Sequence, residues 1–295
     1  LSRFVAGLAS AGAMLLGTGL ILNWLMRHRP RPELGIHFAG IGLGIAGCSA
    51  AVALASHWMD WQAQWLALTV VGCLLAWPAL AWLPRPERSS GPTPAHLADQ
   101  PPGKPFFALL VAAYFCCGVG YVVTATFIVA IVESLPGLGG HGNLVFLTLG
   151  LAAAPACIAW DFVARRIGEL NALLLAAVLQ IGGILLPLAG GGIWTALAGA
   201  MLFGLTFIGL VSLVLTLAGK FYPSRPAKMM GKMTLSYGVA QIAAPALIGW
   251  LAGGQGSYAQ GLLLAAGAMM VGVVLILALR WVDGGASLGV AEGTR

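Results

Sequence analysis

Long apolar runs alternate with short polar gaps along almost the whole chain. The runs cover residues 3–26, 35–56, 65–83, 106–132, 143–160, 170–189, 193–218, 233–252 and 258–281. Each is long enough for an α-helix, rising 1.5 Å per residue, to cross a hydrocarbon core of about 30 Å. Lipid offers no partner to an unpaired backbone group, so such runs are expected to be helical throughout. The pattern predicts an all-α, polytopic transmembrane bundle with nine spans.

The gaps alternate in chemistry. Arg27, Arg29 and Arg31 lie in the first, Arg85, Arg88 and Lys104 in the third, and Arg165 and Arg166 after the fifth span. Lys220, Arg225, Lys228 and Lys232 follow the seventh, and Arg280 and Arg295 come at the end. The gaps around 57–64, 134–142, 190–192 and 253–257 hold no Lys or Arg. All of the 15 basic residues except Arg3 therefore fall on one side of the membrane, which the positive-inside rule makes cytoplasmic. Tryptophan marks the same boundaries, with Trp24, Trp58, Trp61, Trp65, Trp82, Trp160, Trp194, Trp250 and Trp281 at or near span ends. The stretch 84–105 carries Pro84, Pro86, Pro92, Pro94, Pro101, Pro102 and Pro105 among charged and small polar residues. It reads as a solvated cytoplasmic linker, with three spans before it and six after it.

Composition agrees. The chain is 59% hydrophobic and 8% charged, with a mean hydropathy of +0.92, whereas soluble domains carry roughly 25% charged residues. The 42 glycines suit close helix contact in lipid. A net charge of +6 gathered in alternate gaps points to the bilayer surface rather than to nucleic acid. Cys48, Cys73, Cys116, Cys117 and Cys157 all lie in apolar runs, without metal-site or disulfide spacing. Gly42, Gly44 and Gly47 match GxGxxG, but inside a membrane span and without a preceding strand, so helix packing accounts for them better than a nucleotide. No cofactor or metal is expected. A membrane-embedded enzyme would need clustered His, Asp or Glu at one face, and none is evident, so the chain reads as a non-enzyme. The first run has no basic lead or cleavage site of a signal peptide, and the chain opens on Leu1 inside a helix, which reads as a truncation.

Candidate chemistry is sparse. Arg3 stands in the first run, where a guanidinium facing lipid costs roughly 2.5–3.5 kcal/mol. It is expected to face a water-filled cavity, or else to snorkel to the outer headgroups. Asp161 and Arg165 stand four residues apart, at helical pairing distance, and read either as a cytoplasmic latch between helix ends or as simple anchoring. Tyr114, Gly118, Tyr121 and Ala125 form one stripe of the fourth span with Thr124 beside it. Thr234, Tyr237, Gln241 and Pro245 form another on the eighth. Polar groups facing lipid would go unsatisfied, so both stripes should point inward, to line a solute path or to bond between helices. Glu133 and His37, near span ends, are weaker candidates for carrying a proton.

Arg31-Pro32 followed by Gly35 and Gly42 resembles Arg225-Pro226 followed by Gly231 and Gly238, so spans one to three echo spans seven to nine, as in transporters built from repeats. Three spans, a cytoplasmic linker and six further spans resemble the major facilitator superfamily, whose pattern is six plus six. Its loop motif Gly-x-x-x-Asp-(Arg/Lys)-x-Gly-(Arg/Lys)-(Arg/Lys) is matched by Asp161, Arg165 and Arg166, with departures at Cys157, Phe162 and Ala164. Its Arg-x-x-x-Gly opening of the fourth span is matched by Arg3 and Gly7. The stretches 118–127, 160–168 and 180–187 resemble the YbfB/YjiJ-like branch.

The resemblance implies nine spans present of twelve. It divides the chain into a truncated N-terminal bundle (1–83, family helices four to six), the cytoplasmic linker (84–105), a C-terminal six-helix bundle (106–282) and a cytoplasmic tail (283–295). It implies a bacterial inner-membrane carrier of a small organic solute that works by alternating access, driven by protons and acting as a monomer. Arg3 would serve proton coupling or substrate charge, Asp161, Arg165 and Arg166 the gate, and Tyr114, Tyr121, Thr124, Tyr237 and Gln241 the central cavity. The antiporter signature needs Gly-Pro in the second run, and no proline occurs between Glu33 and Trp77. A sensor or a non-transporting remnant is the competing reading.

Overall fold

The computed structural model describes residues 1–29, 32–83, 99–252 and 258–292, with 249–252 and 283–292 in backbone alone. Nine long helices occupy the described residues: α1 (Ser2–His28), α2 (Gly35–Ala55), α3 (Trp61–Trp82), α4 (Lys104–Ser134), α5 (Gly142–Ile167), α6 (Glu169–Leu185), α7 (Gly192–Phe221), α8 (Pro226–Ala252) and α9 (Tyr258–Glu292). No strand occurs among the described residues. The nine apolar runs thus fall one to a helix. Eight of the helices, all but α8, are long and apolar enough over their described residues to cross a membrane. Most of the proline-rich stretch, 84–98, lies outside the described residues, as do 293–295.

The helices overrun the runs wherever a polar residue can remain helical beyond the hydrocarbon. Helix α3 starts at Trp61 rather than 65, because the Asp60 carboxylate caps it by accepting the Ala63 N–H at 2.8 Å. Helix α8 starts at Pro226 rather than 233, since proline suits the first helical position. Lys228 and Lys232, expected in the gap, therefore lie on its first two turns. Helix α5 runs to Ile167 and takes Asp161, Arg165 and Arg166 with it. Gly168, at φ +88°, turns the chain into α6 through a conformation that L side chains rarely adopt.

Helices α4 to α9 form the buried mass. α4 lies against α8 and α9, α7 against α5 and α6, and α6 against α9. α7 is the most deeply buried of the spans. Of the first three helices, α2 packs along the length of α5 in the most extensive pairing of the bundle, α1 meets α8 and α7, and α3, which buries no residue, meets α2 and, through Trp65, Arg3 of α1.

The α2–α5 contact is backbone on backbone. A side chain at Gly42 would meet the Ala153 carbonyl carbon at 2.5 Å, and one at Gly150 would meet the Ala46 nitrogen at the same distance. Lipid gives little hydrophobic drive between helices, so this close approach is what dispersion requires. Of the GxGxxG residues, Gly42 makes that contact, while Gly44 and Gly47 have open space around them. The motif works as a packing surface on one side only.

Candidate functional site

Apart from Arg3, at the opposite end of α1, described cations gather where α1, α5 and α7 end and α2 and α6 begin, called the basic end below. A cavity of about 890 Å³ opens there, lined by Arg27, Glu33, Asp161, Arg165, Thr216 and Lys220 among others. Asp161 is buried, and its Oδ2 accepts the Gly35 N–H at 2.8 Å. That amide belongs to the first turn of α2, where helix geometry leaves N–H groups without an internal partner. A carboxylate there also meets the positive end of the helix dipole. One turn further along α5, Arg165 Nε–H donates to Glu33 Oε1 at 2.7 Å, and Nη2 reaches Oε2 of the same carboxylate. The two parallel bonds give the fork geometry that makes Arg–carboxylate pairs directional. The Arg165 guanidinium also lies 4.7 Å from the centre of the Phe162 ring.

Asp161 and Arg165 stand at a spacing that allows a pair along α5. They turn instead to two residues at the start of α2, Gly35 and the preceding Glu33, and no hydrogen bond or ion pair joins them among the described residues. The clamp thus ties α5 to α2. Beside it, Lys220 at the end of α7 pairs with Glu169 at the start of α6. Arg166 is exposed at the same end.

Deeper in the bundle, the two tyrosine stripes come together. The Tyr114 and Tyr237 rings are 4.6 Å apart between centroids, and those of Tyr121 and Tyr237 are 5.7 Å apart. Helix α7 completes the seam with Phe207, stacked on Tyr121 at 5.3 Å, and Phe203, stacked on Phe207 at 5.4 Å. Tyr114 and Tyr237 are buried and Tyr121 is half-buried. Thr124, on the next turn of α4, is fully buried with its hydroxyl unpartnered, as is the Thr234 hydroxyl on α8. Gln241 is half-buried one turn beyond Tyr237.

The remaining candidates lie apart from both places. Arg3 is exposed, its guanidinium 5.0 Å from the centre of the Trp65 ring. Glu133 closes the α4–α5 loop by accepting the N–H groups of Gly140 at 2.6 Å and Gly142 at 2.9 Å. His37 Nε2 shares a 2.9 Å hydrogen bond with the Thr18 hydroxyl, joining α2 to α1. Glu33, Phe203 and Phe207 were not singled out from the sequence. The two phenylalanines had a signal in their spacing of four, whereas Glu33 finds its partner 132 residues away.

Helices long and apolar enough to span a bilayer, a charged clamp across one mouth and an inward aromatic seam define a multi-pass helical transporter. The family model described as "Uncharacterised MFS-type transporter YbfB" matches residues 1–277, and the chain belongs to that family of the major facilitator type. No curated protein matches the chain.

Proposed function

We propose that the chain is a secondary carrier, not an enzyme, that moves a small organic solute across the bacterial inner membrane by alternating access. The clamp at the basic end is its cytoplasmic gate. Helices α1 to α3 and the bundle 106–282 are the two bodies that rock against each other, as carriers of this kind do around a midplane site. The single observation that carries the reading is the clamp, because Asp161 and Arg165 join α5 to α2, one helix from each body. Such a contact holds the mouth shut in one access state and must part in the other.

The seam of Tyr114, Tyr121 and Tyr237, with Thr124 and Gln241, is the wall that faces the solute. Its aromatic faces and unpartnered hydroxyls suit a solute with both apolar surface and hydrogen-bonding groups. The proton is the coupling ion, a reading that rests on family membership. Arg3, Glu133 and His37 remain candidates for that coupling. Glu133 and His37 also have local structural partners that account for them.

The test is thiol accessibility in proteoliposomes, with a cysteine at Tyr121 in a background lacking the five native cysteines. Asp161→Asn should raise labelling from the cytoplasmic side and lower it from the other. Equal labelling of the parent and the Asn variant from both sides contradicts the gate.

A further inference from the structure

Two cations at the basic end are matched with carboxylates, Arg165 with Glu33 and Lys220 with Glu169. The head of α8 differs. Arg225, Lys228 and Lys232 line a separate cavity of about 280 Å³ together with Tyr222 and Ser224. None of the three cations forms an ion pair among the described residues. Asp99 shares the cavity, but it accepts the Ser224 N–H at 2.9 Å and the Ser224 hydroxyl at 2.7 Å. These two bonds, aided by the field of Arg225, hold its carboxyl below the usual carboxylate range.

The three cations are exposed and partly screened by water, but with only Asp99 beside them the cavity carries a net positive charge. Spacings of three and four place Arg225, Lys228 and Lys232 along one face at the start of α8. A helix N-terminus carries the positive end of the macrodipole and disfavours cations in its first turn. The first turn of α8 holds no acidic residue to offset them. An anion in the cavity would meet three cations at once.

We propose that this cavity binds a phosphate group, carried either by the headgroup of an anionic phospholipid or by a soluble phosphate compound. Arg225 supplies the planar fork that fits two phosphate oxygens, and the lysines supply point charges to the rest. The site lies at the end of a membrane-spanning bundle, at the level where basic residues meet anionic headgroups. It stands apart from the α2–α5 clamp, so it does not depend on the gating proposal. Occupancy would nonetheless bear on the helix that carries Tyr237.

The test is thermal unfolding of the full chain in neutral detergent. The probes are dioctanoyl-phosphatidylglycerol, dioctanoylglycerol (the same tails without phosphate) and inorganic phosphate. A ligand that binds only the folded state raises Tm with its concentration. Phosphatidylglycerol should raise Tm, dioctanoylglycerol should not, and the shift should vanish in the Arg225→Gln/Lys228→Gln/Lys232→Gln variant. A matching shift with inorganic phosphate assigns the site to soluble phosphates, and its absence assigns the site to lipid. Asp99→Asn removes the competing charge and should lower the half-saturating phosphatidylglycerol concentration roughly threefold to fivefold. A triple variant that keeps the full shift, or an Asp99→Asn chain that binds no better, overturns the proposal.

Discussion

Asp161 on α5 accepts the backbone N–H of Gly35, the residue that opens α2, at 2.8 Å and across 126 residues of chain. The bond leaves no room for a side chain at position 35. A Cβ there would lie 2.9 Å from Asp161 Cγ and closer still to Oδ2. A hydrogen bond to a buried charged group contributes about 1.5–3 kcal/mol. Gly35→Ala and Asp161→Ala are therefore each expected to lower Tm and to loosen the mouth, and the double variant should cost less than their sum, because Asp161→Ala relieves the clash with the carboxylate and leaves that with the Cys157 carbonyl oxygen at 2.7 Å. Additive losses would mean that the two residues act separately.

The neighbouring Arg165–Glu33 pair is partly solvated, with side-chain exposures of 36% and 19%. Its contribution belongs in the range of about 0.2–1 kcal/mol and should shrink as salt rises. Glu33→Gln or Arg165→Gln should shift the open-to-closed ratio by no more than about fivefold. The exchange Glu33→Arg/Arg165→Glu should restore most of the shift. Thiol labelling at low and high salt checks both statements.

Glycine substitutions separate packing from open surface. Gly42→Ala and Gly150→Ala should destabilise the chain, because each added methyl meets backbone of the facing helix. Gly44→Ala and Gly47→Ala find nothing within 4 Å and should stabilise by roughly 0.5–1 kcal/mol, the usual gain on removing a glycine from a helix interior. Unfolding of the four variants in one detergent is the comparison.

The aromatic seam can be split into ring and hydroxyl. Tyr114 is 2% exposed and its hydroxyl has no hydrogen-bond partner among the described residues. Tyr114→Phe should therefore leave Tm nearly unchanged, while Tyr114→Ala should cost about 3–5 kcal/mol through the cavity it opens. If the hydroxyl faces the solute, Tyr114→Phe will lower transport of a solute found by a substrate screen while stability stays unchanged. Unchanged flux would make the ring purely structural.

Much of this arrangement is legible in the chain, and the rest is hidden for identifiable reasons. Lipid forces every crossing to be a helix, so nine apolar runs mark nine helices without any knowledge of their neighbours. The tyrosine stripes are readable because Tyr114, Tyr121 and Tyr237 must turn inward, and they meet. The start of α8 escapes the hydropathy pattern because Lys228 and Lys232 are polar yet helical. The partner of Arg165 escapes it too: local spacing points to Asp161, four residues back, whereas Glu33 lies 132 residues away and only helix packing brings it near. Gly42 and Gly150 look like the other glycines in their helices until the facing helix is in place.

The gate is tested most directly by a distance across it. Spin labels at Ile36 and Ile167, exposed near the basic ends of α2 and α5, would report that distance by pulsed electron paramagnetic resonance on the full chain in lipid nanodiscs. Two populations are expected in the parent chain, with Asp161→Asn moving weight to the longer distance. A single distance, identical in the parent and the Asn variant, would contradict a clamp that opens and closes.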